Sequence, residues 1–469
     1  MKRMARSARH VRRRVTAVLG ATAAVSGCLL ATAGPASAIG PTDWPAFLGG
    51  PLHTSLSPDS AITSANAPTL KQKWRFNLPY VSSPVVADGS VFIGSYTGFF
   101  FKINAVTGIK QNKIFLGFQP KLTCAPFGFA STATVAVDQK THQDTVYVAA
   151  PDGYLYALNA ATMNTVWRSP IAIPSKKVNN FFNWSSPTVA NGKIYVGISA
   201  NCDTPLVRGG VAVFNQATGR RIATFHTVPK GHVGGSVWST AGVDSSGNVY
   251  VTVGNPAPGA TNFYNTDAIL KLSPRLKLLA AFHPAKNSLK GDSDFGGSPT
   301  LFTARIKGKT TPMVGACNKN GIFYALRRSN LTRVWQRMIG SRARGGVRAQ
   351  CQSAPAFDGH HLFMAGPATT IGGRKFRGSV ERLNPATGAI GWETGLPNGV
   401  LTSPTINRGG VIGVGTYDNG SAQNRTYLIG ASTGAILRKL NPGFDFAQTI
   451  FADGLVYSAS STGLYAWGP

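Results

Sequence analysis

Several residues near the middle of the chain have side chains that could do chemistry together. Trp238 and Asn255 flank a predicted hairpin in "SVWSTAGVDSSGNVYVTVGNPAP", whose second strand stops at Gly-Asn-Pro. Asp294 follows in "GDSDFGGSP", Lys319 lies in "NKNGIFYAL", and Asp203 comes earlier in "NCDTPLVRGG". Carboxylate and amide oxygens suit a hard cation, and an indole face beside an ammonium suits a planar anion. These residues therefore predict a site for an oxygen-ligated cation and a planar anion, provided that the fold brings them together.

Each of these residues also has an ordinary structural interpretation. Trp238 could be a packed interior aromatic, and Asn255 before proline could be a turn residue. Asp294 could cap a loop, and Asp292 competes with it for any catalytic role. Lys319 in "NKNG" could be a β-turn lysine. The choice depends on the elements that carry these residues.

Those elements are repeats of about 50 residues, a period typical of propeller blades. The stretch "SSPVVADGSVFIGSYTGFFFKINAVTG" (82–108) recurs eight times, ending with "QTIFADGLVYSASSTGLYAWGP" (448–469). Each unit holds three or four short β-branched and aromatic runs between Gly, Asn or Asp turns, and helical periodicity is absent. The units align at one turn position, which holds Gly108, Met163, Gly219, Lys277, Leu331, Gly388 and Gly434.

The last repeat stops after its third strand, and "LKQKWRFNLP" (70–79) can supply the missing fourth. Pairing the two termini closes the ring and leaves no open sheet edge. We therefore predict an all-β fold, an eight-bladed β-propeller of four-stranded antiparallel blades closed by pairing of the N- and C-terminal strands. The propeller spans 70–469, after an N-terminal segment at 39–69.

Residues 1–38 have the pattern of a signal peptide. A basic region, "MKRMARSARHVRRR", precedes an apolar run and a small-residue site that predicts cleavage after Ala38. A secreted protein is expected, and a lipid anchor at Cys28 in "VSGC" is the alternative. No other apolar run approaches the ~20 residues that span a membrane, so no transmembrane segment is expected.

The chain is strongly basic, with 47 Lys and Arg against 17 Asp and Glu. Such a surface favours anionic partners, of which a cell-wall polymer is one. The alternative is a soluble secreted protein that is merely poor in acids. After the signal peptide no run of about five like charges occurs, which weighs against nucleic acid as the partner.

Four cysteines follow the signal peptide, and an even number in an exported protein predicts two disulfides. All four lie in connections expected on one face of the propeller, so we predict pairing between neighbouring blades. The predicted pairs are Cys124–Cys202 and Cys317–Cys351. No CxxC, CxxCH, HxH or HExxH spacing is present, which argues against covalent haem and against zinc.

Alternating strand directions place two kinds of connection on the same face: those that lead into the first strand of a blade and those that follow its second strand. The longer segments fall there, including "KGHVGGSVWS", "GNPAPGATNFYN" and "LKGDSDFGGS". All of the candidate residues belong to this face. The shorter "ADG", "ANG" and "N-x-x-T-G" turns belong to the other face and are expected to be structural.

Two stretches resemble a known superfamily. "RLNPATGAIGW" (382–392) and "ALNAATMNTVW" (157–167) resemble the tryptophan-docking motif of quinoprotein dehydrogenase propellers. "DWPAFLGGPLHTSLSP" (43–58) resembles the N-terminal segment of the same superfamily, and the resemblance covers residues 43–469. It implies oxidation of an alcohol, secondary or polymeric, with pyrroloquinoline quinone and calcium, by a monomer that passes electrons to a separate acceptor. The same repeat also builds non-enzymatic assembly factors, so the alternative is a propeller that binds an anionic wall polymer, polysaccharide or protein.

The resemblance also implies a role for each matching residue. Trp238 would be the floor on which the quinone stacks, and Asn255 would ligate calcium. Asp294 would take the alcohol proton and also lie beside the metal. Lys319 would contact the quinone oxygens and assist catalysis.

The chain departs from the superfamily at three points. The position of a calcium-ligating Glu holds Thr204, with Asp203 beside it as the replacement ligand. A vicinal disulfide over the quinone is replaced by the single Cys124. No arginine matches the one that binds the cofactor carboxylates, and Arg344 and Arg348 are the predicted substitutes.

Overall fold

The computed structural model describes residues 39–78, 82–119, 128–175, 177–284, 292–340, 350–418 and 421–469. All of these residues fall within one compact unit, residues 35–469. The predicted signal peptide, with Cys28, lies outside the described residues, as do Cys124, Arg344 and Arg348. In the part of the chain that is described, no helix is long and apolar enough to cross a membrane.

Two short strands and two 3-10 turns precede the blades: the turns are Phe47–Gly49 and Ala67–Thr69, and the strands are β1 (Leu56–Ser57) and β2 (Lys71–Phe76). Blades 1 and 2 follow, with β3 (Val85–Ala87), β4 (Ser90–Gly94), β5 (Phe99–Asn104) and β6 (Lys110–Phe115), then β7 (Thr134–Val137), β8 (Asp144–Ala149), β9 (Tyr154–Asn159) and β10 (Thr165–Pro170). Blades 3 and 4 contain β11 (Thr188–Ala190), β12 (Lys193–Ile198), β13 (Gly210–Asn215) and β14 (Arg221–His226), then β15 (Gly242–Val243), β16 (Val249–Thr252), β17 (Ile269–Leu272) and β18 (Leu278–Phe282).

Blades 5 and 6 contain β19 (Thr300–Ile306), β20 (Lys309–Cys317), β21 (Ile322–Arg327) and β22 (Arg333–Met338), then β23 (Ala356–Phe357), β24 (Leu362–Gly366), a separate hairpin of β25 (Thr369–Ile371) and β26 (Arg374–Phe376), β27 (Gly378–Leu383) and β28 (Ile390–Leu396). Blades 7 and 8 contain β29 (Thr405–Asn407), β30 (Val411–Gly415), β31 (Arg425–Gly430) and β32 (Ile436–Pro442), then β33 (Ile450–Ala452), β34 (Leu455–Ser460) and β35 (Gly463–Gly468).

The ring closes as predicted. The N-terminal β2 pairs antiparallel with β35, with Trp74 opposite Ala466 and Phe76 opposite Leu464, and so completes blade 8. The predicted eight-bladed propeller of four-stranded blades is therefore confirmed. Two features were not predicted: the β25–β26 hairpin, and β1, which pairs parallel with β29 as a fifth strand of blade 7.

Burial follows position within the blade. The second strand of blade 1, β4, is buried along its whole length, whereas the outermost strand β6 is exposed or half-exposed throughout. The core consists of side chains between adjacent blades. Because burial decreases outward, the residues of a site near the axis come from the ends of the inner strands.

Tryptophans on the outermost strands dock onto the next blade, as the quoted motif predicts. Trp335 of β22 donates its indole Nε1–H to the Pro385 carbonyl of blade 6 at 2.9 Å. Its ring covers the turn at Gly388, where φ is 70° and an added Cβ would lie 2.6 Å from the indole Cε3. Trp74 and Gly108 repeat this arrangement between blades 8 and 1.

Where the turn position is not glycine, the preceding blade has no tryptophan on its outermost strand. Met163 and Leu331 hold the turn position with φ of 64° and 60° and are buried, and the strands before them, β6 and β18, lack tryptophan. In blade 4 the buried left-handed residue is Leu276 (φ 63°), one position before the Lys277 of the sequence alignment. The large aliphatic side chain therefore fills the space that a docking indole occupies elsewhere.

Residues 44–57, here called the plug segment, cross the centre of the ring and hydrogen-bond to the innermost strands. Their carbonyl oxygens accept backbone N–H groups from six blades: Trp44 from Val86 at 2.9 Å, Pro45 from Val135 at 2.8 Å, Pro51 from Val243 at 2.7 Å, Leu52 from Leu301 at 2.9 Å, Thr54 from Phe357 at 2.7 Å and Ser55 from Ile406 at 2.9 Å. Phe47 of this segment also lines the central cavity. The plug segment is therefore part of the propeller core.

Candidate functional site

One repeat position, just before the first strand, lines a central cavity of about 400 Å³ in seven blades. It is occupied by Ala130, Trp184, Trp238, Gly296, Gln352, Leu401 and Phe446. Because equivalent positions of a propeller converge on its axis, these side chains meet at one mouth. The two tryptophans belong to adjacent blades 3 and 4.

Two residues further along, six of the eight repeats carry a hydroxyl, and Ala354 and Gln448 hold the position in blades 6 and 8. The backbone N–H of one blade donates to the hydroxyl of the next at 2.9 to 3.0 Å: Thr132 to Ser186, Ser186 to Thr240, Thr240 to Ser298, Ala354 to Ser403 and Gln448 to Ser83. These bonds fix the blades to one another at the wall of the cavity. The mouth therefore rests on a rigid base.

Lys319 binds two aspartates at the mouth. Its Nζ lies 2.6 Å from Oδ1 of Asp294 and 2.7 Å from Oδ1 of Asp292. Asp294 is 1% exposed and Asp292 is 49% exposed, so the lysine links a buried carboxylate to a solvent-facing one. Oδ2 of Asp294 is buried and has no hydrogen-bond partner among the described residues.

The two carboxylates have opposite pKa shifts. Burial raises the pKa of Asp294 to about 6, although the Lys319 ammonium works against the shift. Partial burial works to raise the pKa of Asp292, but Lys319 and the amide of Asn255 outweigh it and lower that pKa to about 2. Burial disfavours the charged form of Lys319, yet the two carboxylates prevail and raise its pKa. At neutral pH all three groups are charged, and Asp294 is the stronger base of the two aspartates.

Trp238 forms one wall beside this cluster. The Lys319 ammonium lies 4.9 Å from the centroid of the indole ring, within the range of a cation–π contact. Gly296 allows the ring its position, because a Cβ there would come 2.7 Å from its Cη2. The indole therefore packs closely against the backbone of blade 5 at Gly296.

A second cavity of about 960 Å³ adjoins the first and shares Trp184, Trp238, Asp292 and Lys319 with it. Asn255 and Asp203 line this cavity, together with an apolar wall of Leu206, Pro256, Ala257, Pro258, Ala260 and Phe263. Asn255 donates its Nδ2 to Oδ1 of Asp292 at 2.9 Å, and Ser236 contacts Oδ1 of Asp203 at 3.4 Å. Side-chain oxygen atoms that could bind a cation thus face an apolar wall across the open cavity.

The fold brings five of the predicted site residues together: Trp238, Asn255, Asp203, Asp294 and Lys319. Asp292, the competing candidate for the catalytic role of Asp294, also belongs to the cluster. Within the described ranges no group of three or more His, Cys, Asp or Glu side chains is arranged to hold a metal ion. A cation here would therefore need the amide oxygen of Asn255 as well as carboxylates.

The structure contains the disulfide expected between Cys317 and Cys351, with Cα atoms 5.6 Å apart. It joins the end of β20 in blade 5 to the connection into blade 6, beside the mouth. Cys202 is also disulfide-bonded, and its predicted partner Cys124 lies outside the described residues.

Sequence reasoning missed two residues of the site. Trp184 lines both cavities, and "WSS" at 184–186 occupies the same repeat position as "WST" at 238–240, so alignment of the two repeats could have found it. Gln350 donates its Nε2 to Oδ2 of Asp292 at 2.9 Å, and no sequence signal distinguishes it from other loop glutamines.

Comparison with known proteins places this geometry in a family. A family model described as outer membrane protein assembly factor BamB, of the PQQ_2 type, matches residues 17–252, half of the chain. Quinohemoprotein alcohol dehydrogenase ADH IIB of Pseudomonas putida is 26% identical over 316 residues, which cover 58% of this chain and 44% of that protein. Polyvinylalcohol dehydrogenase of Pseudomonas sp is 22% identical over 463 residues, which cover 86% of this chain and 68% of that protein.

The fold is shared with a solved relative. The crystal structure of quinohemoprotein alcohol dehydrogenase from Comamonas testosteroni superposes with a TM-score of 0.71 at 18% identity, covering 91% of this chain and 81% of that one. A sequence identity of this size to a solved structure shows the fold alone. The match to the P. putida relative spans less than half of that protein's length. The match of the family model to half of the chain, together with the eight-bladed fold, shows that the chain belongs to the PQQ_2 family of quinoprotein-like β-propellers.

Proposed function

We propose that this protein is a quinoprotein-like oxidoreductase that oxidises an alcohol with pyrroloquinoline quinone. The observation that carries the proposal is the contact of Lys319 with the buried Asp294 beside the indole of Trp238. Lys319, a hydrogen-bond donor, and Trp238, a flat aromatic surface, thus line one cavity, and the buried carboxylate of Asp294 contacts Lys319 from the protein interior. The names of the two curated relatives, an alcohol dehydrogenase and a polyvinylalcohol dehydrogenase, support the reaction class.

The residues present suit a planar quinone. Trp238 would stack against it, and the Lys319 ammonium would donate to its carbonyl oxygens. Both cavities border Trp238, so space is available on the open side of the indole. The bound quinone would supply the hydride acceptor.

The residues suit calcium in donor type. Asp203, Asn255 and Asp294 offer oxygen ligands of the kind that calcium takes, and the free Oδ2 of Asp294 is one of them. Lys319 already contacts Oδ1 of Asp294, so the cation would bind on the Oδ2 side. Calcium would supply Lewis acidity at the reacting carbonyl.

The chain's own residues would handle the substrate proton. With a pKa of about 6, Asp294 is ionised at neutral pH, and the lone pair of Oδ2 that the cation leaves open can accept the hydroxyl proton. Lys319 would hold the carboxylate in place and keep it charged, and Asp292, with its low pKa, would neutralise Lys319 from the solvent side. Such proton transfer to a positioned base contributes rate by roughly two to four orders of magnitude.

The substrate would enter through the second cavity. Its apolar wall at Pro256–Ala260 and Phe263 suits an alcohol with a hydrocarbon portion, either a secondary alcohol or a segment of a polymer. Electrons would pass to a separate acceptor, and the protein would work as a secreted monomer. The alternative is a non-catalytic propeller that binds an anionic polymer, in line with the description of the family model as an assembly factor.

Titration of the purified protein with pyrroloquinoline quinone, followed by tryptophan fluorescence with and without calcium, tests the proposal. We expect saturable quenching at micromolar quinone, reduced in Trp238→Leu and in Lys319→Met. Asn255→Ala should remove only the effect of calcium. Asn330→Ala, at an exposed turn of blade 5, is the matched control and should behave as the wild type. Absence of saturable quenching by about 100 µM quinone would overturn the proposal.

A further inference from the structure

The outermost strands of blades 7, 8 and 1 carry an uncompensated positive surface, here called the basic arc. Its basic residues are Arg438 and Lys439 on β32, Lys71, Lys73 and Arg75 on β2, and Lys110 and Lys113 on β6. None of these strands contains Asp or Glu. The three strands are consecutive around the ring, because blade 8 lies between blades 7 and 1. The arc is therefore one continuous surface and not scattered charge.

The charges of the arc are not neutralised within the described residues. Arg75 and Arg438 donate to the backbone carbonyls of Thr462 and Pro68, which orient the side chains but carry no negative charge. Lys73 contacts the terminal residue Pro469, and the proposal below does not depend on its charge. Lys113 lies 4.8 Å from the ring centroid of Phe99. The ion pairs found in the described ranges involve other residues. Lys71, Arg75, Lys110, Lys113 and Lys439 are exposed, so most of the charge of the arc faces solvent.

Protection of sheet edges does not explain the arc. Lysines on an outermost strand do discourage edge-to-edge pairing, and if this were their purpose all eight blades would need them equally. The outermost strand of blade 4, β18, reads "LLAAF" and has no charge, and that of blade 6, β28, carries only Glu393. The eight outermost strands carry eleven basic residues, and seven of them lie in blades 7, 8 and 1. The largest group elsewhere is Arg333 and Arg337 on β22 of blade 5.

We propose that the basic arc is a binding site for a flexible linear polyanion that follows the circumference of the propeller. Successive outermost strands of an eight-bladed ring face directions about 45° apart. A flat anionic surface could contact one such strand fully, but not three at once. A flexible chain of closely spaced anionic groups can contact all three, and each neutralised charge releases counterions. This site is distinct from the mouth and does not depend on the proposed oxidation.

The geometry also separates flexible from stiff polyanions. Duplex DNA has a persistence length of about 50 nm, and bending it around so small a protein costs several kcal/mol. A linear polyphosphate has no such penalty. We therefore expect polyphosphate to bind at least about tenfold more tightly than a short duplex at equal phosphate concentration.

The test uses the full chain with a fluorescein-labelled linear polyphosphate of about 60 phosphates, followed by polarisation over a series of salt concentrations. The arc variant is Lys71→Glu with Lys110→Glu and Lys439→Glu, one exposed residue from each strand. The control variant is Lys140→Glu with Lys307→Glu and Arg408→Glu, all exposed on turns between first and second strands. Both triples change the net charge equally.

We expect the arc variant to lose at least about tenfold in affinity and to show a smaller dependence on salt, whereas the control loses less than about threefold. Thermal unfolding of both variants checks that they fold. Equal losses in the two variants would overturn the proposal, because they would show a response to net charge alone. So would equal or tighter binding of a 20-base-pair duplex or of phosphatidylglycerol vesicles, because neither can follow the arc.

Discussion

The Lys319 ammonium contacts Oδ1 of Asp294 at 2.6 Å, and this carboxylate is 1% exposed. The lysine itself is 9% exposed and meets the solvent-facing Asp292 on its other side. Breaking a buried pair by removing one partner leaves an uncompensated charge. Lys319 is therefore a positioning group for Asp294 whatever ligand the cavity takes.

We predict that Lys319→Met raises the pKa of Asp294 above its present value of about 6 by roughly one to three units. Burial and the negative charges of Asp292 and Asp203 then raise the pKa of the carboxyl unopposed, because the nearby positive charge is gone. The pKa of Asp292, now about 2, should also rise toward its usual value. Carboxyl-carbon chemical shifts recorded against pH in aspartate-labelled protein would measure both. Lys309→Met at an exposed strand end is the control, and an unchanged Asp294 titration in Lys319→Met would contradict the prediction.

We predict that Gly388→Ala destabilises the protein by about 2 to 4 kcal/mol. The residue has φ of 70°, and its new Cβ would lie 2.6 Å from the Trp335 indole, so backbone strain and a clash add together. Gly89→Ala is the control, because φ there is 60° and a Cβ would meet nothing within 4 Å. That variant should lose only about 1 to 2 kcal/mol. Urea unfolding measures both, and equal losses would show that the indole yields to the added methyl.

The filling of the turn by Leu331 leads to the complementary prediction. Leu331 is 2% exposed and packs between blades 4 and 5. It takes the position that corresponds to the indole of Trp335 between blades 5 and 6. Leu331→Gly relieves an unfavourable φ of 60° but leaves a cavity. We expect a net loss of about 2 to 4 kcal/mol in urea unfolding. A more stable variant would mean that strain, not packing, dominates at this turn.

The repeats allowed most of the fold to be predicted from the sequence. Hydrophobic alternation recurs in every blade and the turn at Gly108 in the first seven, so blade number and ring closure follow from counting. The plug segment could not be predicted in the same way, because its hydrogen bonds are made by backbone carbonyls of residues such as Pro51 and Leu52. Backbone contacts leave little trace in side-chain pattern. The parallel pairing of β1 was missed for the same reason.

The site was predictable to the extent that its residues come from strand ends. Trp238, Asp294 and Lys319 meet because each follows or precedes an inner strand of blade 4 or 5. What no pattern indicated is that Lys319 contacts Asp292 as well as Asp294. That pairing depends on the rotamers of a long side chain, which only three-dimensional packing decides.

Removing the disulfide by Cys317→Ala with Cys351→Ala should destabilise the protein by about 4 kcal/mol, since the bond closes a long loop of the unfolded chain. The sequence separation of the two cysteines is 34 residues. Guanidinium unfolding under non-reducing conditions measures the loss. Gln350, next to Cys351, should hold Asp292 less well in this variant, so the pKa of Asp292 should rise. A loss below about 1 kcal/mol would show that the closed loop is already restricted in the unfolded state.

The last prediction concerns Glu381 and Glu393, which are directly opposite each other on β27 and β28. Burial and the neighbouring charge of Glu393 raise the pKa of Glu381 from 4.5 to about 8. Between these values the folded protein keeps a proton that the unfolded chain has released. The free energy of unfolding should therefore fall as pH rises through this window.

We predict that Glu381→Gln removes this loss, so that the variant gains at least about 2 kcal/mol on the wild type between pH 5 and pH 8. Urea unfolding at several pH values measures the gain, and comparison of the two proteins cancels the other titrating groups. Glu393→Gln is the informative companion, because it removes the neighbouring charge but leaves Glu381 buried. Burial is the larger cause of the shift, so this variant should recover only the smaller part of the gain. If Glu393→Gln recovered all of it, repulsion between the two glutamates, and not desolvation, would govern the stability of blade 6.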